Sequence, residues 1–100
     1  MVVVVVVARI PQHGIEGFRR YEHAVLPLLA DHGGEMQRRF RNEDGTIEVH
    51  LVGFSSAETF ARYRSDPRRE RHAGLLQACG ARVEVLELSD APIEELLPPR

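Results

Sequence analysis

Six consecutive valines, Val2 to Val7, open the chain after its first residue. β-Branched side chains lose rotamer freedom in a helix and pack well on a pleated sheet, so the run predicts a strand, Val2–Ala8. Successive residues of a strand face opposite ways, so this strand is apolar on both faces and needs cover on both. One hundred residues make one domain with one modest core. The rest of the chain supplies a second layer for one face only. The mismatch predicts a partner chain over the other.

The remaining elements follow from turn and cap signals. Pro11-Gln12-His13-Gly14 is a loop. A helix is predicted over Ile15–Asp31, with Ile15, Phe18, Val25, Leu28 and Leu29 as its apolar stripe and Tyr21 at the margin. Pro27 should kink or divide it, and Gly33-Gly34 ends it. Two strands, Glu35–Asn42 and Thr46–Phe54, flank the hairpin signal Asn42-Glu43-Asp44-Gly45. With an even loop, Arg38 and Phe40 share a face with Ile47, Val49 and Leu51, which is expected to be the helix-covered one. Gln37, Arg39 and Arg41 then share the other with Glu48, His50 and Val52. A three-residue loop with a glycine bulge swaps the sets.

Ser55 or Ser56 caps a helix over Ala57–Arg64 that buries Phe60 and Tyr63. Asp66-Pro67 restarts it, and this segment runs to about Ala78, burying Leu75, Leu76 and Cys79. Ala81–Leu88 is the last strand, with Val83 and Val85 facing one way and Arg82, Glu84, Leu86 and Leu88 the other. The order β-α-β-β-α-β predicts a ferredoxin-like α+β domain over residues 1–90, an antiparallel sheet of order 4-1-3-2, and both helices on one face. Residues 91–100 are expected to be a tail, with one apolar turn at Ile93, Leu96 and Leu97 before Pro98-Pro99.

Composition narrows the partners. The net charge of −2 makes no electrostatic case for nucleic acid or an anionic membrane, and no stretch is long enough to span a bilayer. All thirteen basic residues are arginine, which excludes a lysine Schiff base within the chain. One cysteine, Cys79, allows no intrachain disulfide and suits a reducing, cytoplasmic setting. The valine run lacks the preceding basic region and small-residue cleavage site of a signal peptide.

Four stretches carry a family resemblance: Tyr21-Glu22 with Leu26-Pro27-Leu28-Leu29; His32-Gly33-Gly34; Val52 to Glu58; and Tyr63-Arg64-Ser65-Asp66-Pro67 with Gly80-Ala81 further on. In them the chain resembles the dimeric α+β barrel superfamily. That group includes cofactor-free antibiotic-biosynthesis monooxygenases, polyketide cyclases, EthD-like proteins and small uncharacterised families. The resemblance implies a homodimer with two sheets packed face to face, and a ligand cleft between helices and sheet. It specifies fold rather than reaction, because one scaffold serves many chemistries.

None of the five histidines is spaced as H-x-H or H-x-x-x-H, so no local metal pair exists and no metal or cofactor is expected. His32 suits a helix C-terminus, and His13 a solvated loop. His50 lies mid-strand among apolar neighbours, where a titratable group is either hydrogen-bonded structure or a site. His72 either faces the sheet with Leu75 and Leu76 or edges into water. Tyr21 and Tyr63 sit on helix margins, as amphipathic core residues or as hydroxyls lining the cleft. Gly53-Phe54-Ser55-Ser56-Ala57 superficially resembles a nucleophile elbow, but serine at an N-cap explains it. Cys79 at a helix C-terminus is a poor nucleophile. Arg68-Arg69-Glu70-Arg71 reads as a solvated face. Arg39, Arg41 and Arg82, with Glu48 and Glu84, are expected to pair inside the dimer barrel, the alternative being a substrate clamp.

Two functions are carried forward. One is a small cofactor-free enzyme acting on a hydrophobic metabolite by oxygenation, cyclisation or isomerisation. Its working groups are Tyr21, His50, Tyr63, His72 and Arg39. The other is a non-catalytic, small-molecule-binding or stress-associated dimer whose cleft is filled by side chains. In a chain this short, both tyrosine hydroxyls should open on one cleft. His50 joins them only if its side chain reaches the helix side.

Overall fold

The computed structural model describes residues 1–98; Pro99 and Arg100, the end of the expected tail, lie outside the described residues. Strand β1 (Val2–Arg9) is central, as the valine run requires. Helix α1 spans Ile15–Val25, and a 3-10 segment, Leu26–His32, continues it; the break falls one residue before Leu26-Pro27. Gly33 closes that segment at φ 68°, where a Cβ would be strained. The hairpin is β2 (Glu35–Arg41) and β3 (Ile47–Phe54). Helix α2 (Ala57–Arg64) starts at Ser56, whose hydroxyl accepts from the Thr59 amide in a capping box. Asp66 caps the short α3 (Pro67–Glu70), α4 spans Ala73–Cys79, and β4 spans Arg82–Leu88. The helical segment expected to run unbroken from Pro67 to Ala78 is thus divided. Around Arg71 and His72 the backbone tightens to i→i+3 bonds, His72 N–H to Arg69 C=O at 3.1 Å and Leu75 N–H to His72 C=O at 3.0 Å.

The sheet order is β2-β3-β1-β4, all neighbours antiparallel, which is the ferredoxin-like α+β arrangement. The hairpin register is the even one: Arg41 lies opposite Glu48, Phe40 opposite Val49 and Arg39 opposite His50, with a bulge between Met36 and Arg38. The faces, however, are reversed from expectation. Glu48, His50, Val52 and Phe54 are buried with Val4 and Ala8 beneath the helices. The more apolar set, Phe40, Ile47, Val49 and Leu51, looks out with Val3, Val5, Val7, Leu86 and Leu88. The cause lies in side-chain pairing. Arg39 and Arg41 neutralise Glu48 from the adjacent strand, so this carboxylate can be buried, and the pattern of charges is a poor guide to the solvated face.

Two buried clusters form beneath the helices. Val4, Val25, Leu29, Val52, Phe54, Phe60 and Tyr63 make the larger; Ala8, Ile10, Phe18 and Cys79 the smaller. Along β1 they are separated by Val6, whose cross-strand neighbour is His50. Among the described residues no helix is long and apolar enough to cross a membrane.

Candidate functional site

Between these clusters lies a cavity of about 280 Å³. Its wall is mainly apolar, from Val6, Phe18, Val25, Leu29, Phe54 and Val85 among others, and its polar lining is Tyr21, Glu22, His50, Tyr63, Arg64 and Arg69. The volume is near the lower end of small-molecule sites, roughly 300–1,000 Å³. Tyr21, Tyr63 and His50 therefore meet at one cavity. The expectation that an even register turns His50 away from the helices into the barrel is corrected by the face reversal. Arg39 does not line this cavity. It lies at an open groove with Glu22, His23, Leu26 and Pro27. His72 lies at the turn before α4 and lines neither space. Arg39, Arg41 and Glu48 pair as expected, but beneath the helices; Arg82 and Glu84 stay on the open face.

The centre of the site is a buried acid–base cluster. His50 Nε2 lies 2.7 Å from Glu48 Oε1 and 3.1 Å from Glu22 Oε2. Two carboxylates facing one ring nitrogen hold the proton there, so neutral His50 is the Nε2–H tautomer and donates to both. Nδ1 makes no hydrogen bond among the described residues. It is not sealed off either, because Arg69 Nε is the one buried and unpartnered side-chain polar atom among them. His50 thus keeps one ring nitrogen unengaged, and the residue lines the apolar cavity.

The two carboxylates differ. Burial opposes the charge of Glu48, but hydrogen bonds involving Glu22, His50 and Arg39 outweigh it and lower its pKa to about 2. Burial raises the pKa of Glu22; its bond to His50 offsets this in part, and the proximity of Glu48 adds to it. Glu48 is the fixed anion and Glu22 the weaker acid. For His50, burial pulls the pKa down, yet the bonds to Glu22 and Glu48 outweigh it and the net shift is upward. The Tyr63 hydroxyl is raised, chiefly by burial, so it stays protonated. It donates weakly to the Val25 carbonyl at 3.5 Å.

Glu22, Glu48 and His50 hold ligand atoms within 4.8 Å of one another, the spacing of a metal site. The donors are already engaged. Glu48 Oε1 accepts from Arg39 Nε, Glu48 Oε2 from Arg41, and Glu22 Oε1 from Arg39 Nη2. A divalent cation there would have to displace two guanidiniums of its own charge sign. The arrangement is that of a charge-paired acid–base cluster.

Glu22 and Arg69 are among the residues of the site that the sequence reading does not single out as functional. Glu22 follows Phe18 by four positions and precedes Val25 by three, so it occupies the buried stripe of α1. A lone carboxylate on an apolar stripe is the signal that would have found it. Arg69 lies in a charge run expected to be a solvated face. Arg68, Glu70 and Arg71 are exposed as expected, whereas Arg69 is half-buried at the cavity.

No family model matches the chain, and no curated protein does. Solved structures do match over nearly all of it. SnoaB, a cofactor-independent oxygenase from Streptomyces nogalater, is 17% identical, with 91% of this chain and 93% of that one covered and a TM-score of 0.76. An antibiotic biosynthesis monooxygenase is 16% identical, with 92% and 100% covered and a TM-score of 0.74. Protein Atu4242 from Agrobacterium tumefaciens is 22% identical, with 93% and 96% covered and a TM-score of 0.71. Strand order, helix placement and these likenesses agree: the chain has the ferredoxin-like α+β fold that these antibiotic biosynthesis monooxygenase structures share.

Proposed function

We propose that the protein is a cofactor-independent enzyme that takes a proton from a small, largely apolar organic molecule. The observation that carries this reading is His50: Nε2 is held by two carboxylates, Nδ1 is left without a hydrogen bond among the described residues, and the residue lines an apolar cavity. In its neutral form Nδ1 accepts the proton of an acidic C–H or O–H, and the electron pair stays on the substrate as an enolate or phenolate. Glu48 stabilises the imidazolium that forms. Tyr63 lines the same cavity, and its protonated hydroxyl, held only by a long bond to the Val25 carbonyl, would turn to orient the substrate oxygen. The anion can then react with dioxygen, attack a carbonyl within the molecule, or be reprotonated at another carbon. Oxygenation is the first outcome to assay, because a cofactor-independent oxygenase shares the fold.

The test uses bicyclic ketones and phenols such as 2-tetralone and 2-naphthol. Deuterium uptake from D2O is followed by NMR and oxygen consumption by electrode. Wild type should accelerate exchange, and His50→Gln should lower the rate at least tenfold, about 1.4 kcal/mol. Binding without accelerated exchange or oxygen uptake would overturn the enzyme reading in favour of a ligand-binding protein.

The assembly belongs to the same proposal. The open face carries Phe40, Ile47, Leu86 and Leu88, each more than a third exposed, beside Val3, Val5 and Val7. A contiguous apolar patch of this kind marks an interface. A second copy packed sheet to sheet would cover it, burying at least ~1,200 Å² in total.

A further inference from the structure

We infer that the ligand of this cavity is an organic anion, an apolar ring body bearing a carboxylate or comparable oxyanion, and that Arg69 receives its charge. The inference rests on reading the cavity as a ligand site. Among the described residues Arg69 is the one arginine that is not exposed. It is also without a carboxylate at ion-pair distance, whereas Arg39, Arg41, Arg62 and Arg68 each have one. Its partners are neutral. Nη1 donates to the Arg64 carbonyl at 3.2 Å and Nη2 to the Tyr21 hydroxyl at 3.3 Å. The guanidinium stacks 4.5 Å from the centre of the Tyr63 ring. Nε is sealed and finds no acceptor.

A partly desolvated cation without a counter-charge is costly, and the chain keeps this one at the wall of its main apolar cavity. Arg64, also in that wall, has no ion pair among the described residues either and lies over the Phe60 ring at 5.5 Å. The buried acids nearby are committed elsewhere. Glu22 is engaged by Arg39 and His50, and Asp66 by Arg68 and His32. Glu70, which shares the outer groove with Arg69, is exposed and makes no ion pair. Two cations, apolar walls and no free carboxylate inside describe a receptor for an amphipathic anion. The Tyr21 hydroxyl, whose oxygen accepts from Arg69, is left with its own proton to donate to the same oxyanion. The anionic group then lies against the α1–α3 wall, and the ring body extends toward His50.

Calorimetric titration with 2-naphthoate and its neutral analogue 2-naphthamide tests this without any turnover. Wild type should bind naphthoate at least tenfold more tightly, and added salt should narrow the gap. Arg69→Gln should erase the preference, and Arg69→Lys should keep part of it. Equal affinity for the two probes, or an intact preference in Arg69→Gln, overturns the inference while leaving the cavity as a ligand site. Failure of both probes to bind overturns both. Should Arg69→Gln not fold, the probe ratios of wild type and Arg69→Lys decide: a ratio near one in wild type, or one unchanged in Arg69→Lys, overturns the inference.

Discussion

Glu48→Gln perturbs the charged cluster with the smallest change of shape. The wild-type carboxylate accepts from Arg39 Nε at 2.7 Å, from Arg41 Nε and Nη2 at 3.2 and 3.1 Å, and from His50 Nε2 at 2.7 Å. Hydrogen bonds involving Glu22, His50 and Arg39 bring its pKa from 4.5 to about 2, against the effect of burial. That gap corresponds to about 3 kcal/mol of preference for the charged form in the folded state. Glutamine retains one acceptor and turns an NH2 toward two guanidiniums. Arg39 and Arg41 are 44% and 36% exposed and recover water, so the loss stays below the ~3–5 kcal/mol of a buried pair broken on one side. A loss of about 2 kcal/mol is expected at neutral pH, or roughly 10 °C in Tm for a domain of this size. A depressed carboxylate stabilises the fold above its unfolded pKa and loses that contribution as pH falls through its folded one. The difference between wild type and variant should therefore hold steady between about pH 5 and 6.5 and shrink as pH falls from 4.5 toward about 2. Urea unfolding followed by circular dichroism, at fixed protein concentration across this range, measures it. A difference under ~0.5 kcal/mol at neutral pH, or one that persists undiminished in acid, would refute the pairing.

Further outcomes follow from the same geometry. The raised His50 pKa predicts that kcat/KM climbs with pH through a value above 6.5; a rising limb at or below 6.5 contradicts His50 as the base. The same shift contributes stability that is present below 6.5 and lost as pH rises through the folded value, so the alkaline decline in urea midpoint should flatten in His50→Gln. Leu86→Glu, on the open face, should dissociate or precipitate the protein, and a wild-type monomer mass by light scattering at micromolar concentration counts against the dimer. Tyr63→Phe should lower turnover at least tenfold at a stability cost under ~1 kcal/mol, because its hydroxyl makes one long bond to the Val25 carbonyl. Unchanged turnover per folded molecule with reduced stability makes Tyr63 a core residue only.

Backbone signals in the chain were read correctly where one residue decides the outcome. Pro27 separates α1 from its 3-10 extension, Asp66-Pro67 starts α3, and the valine run is central in the sheet. These depend on local sterics and donor loss, which need no knowledge of neighbours. The strand faces depend on neighbours. A period-2 pattern separates Glu48 and His50 from Val49 and Leu51, but it cannot say which set is covered when each has a means of burial. Glu48 is buried by virtue of arginines seven and nine residues away on another strand. Glu22 and Arg69 escaped notice for the same reason: each looks like a surface charge until the cavity it lines is assembled.

The face reversal ties the site to the assembly. Chains of this size gain most by placing their apolar set inward and their charges outward. Here β3 does the opposite: Glu48 and His50 lie under the helices, while Ile47, Val49 and Leu51 face away from them. Stability alone does not favour this, since a buried ion cluster is commonly matched or exceeded by well-packed apolar residues of similar volume. The outward set is tolerable if a second sheet covers it. The inward set is useful if it borders a space that a molecule can enter, and His50 lines such a cavity. If a second copy covers the outer face as proposed, the space beneath the helices is where a ligand can be held away from water. His50, Arg69 and both tyrosines line it.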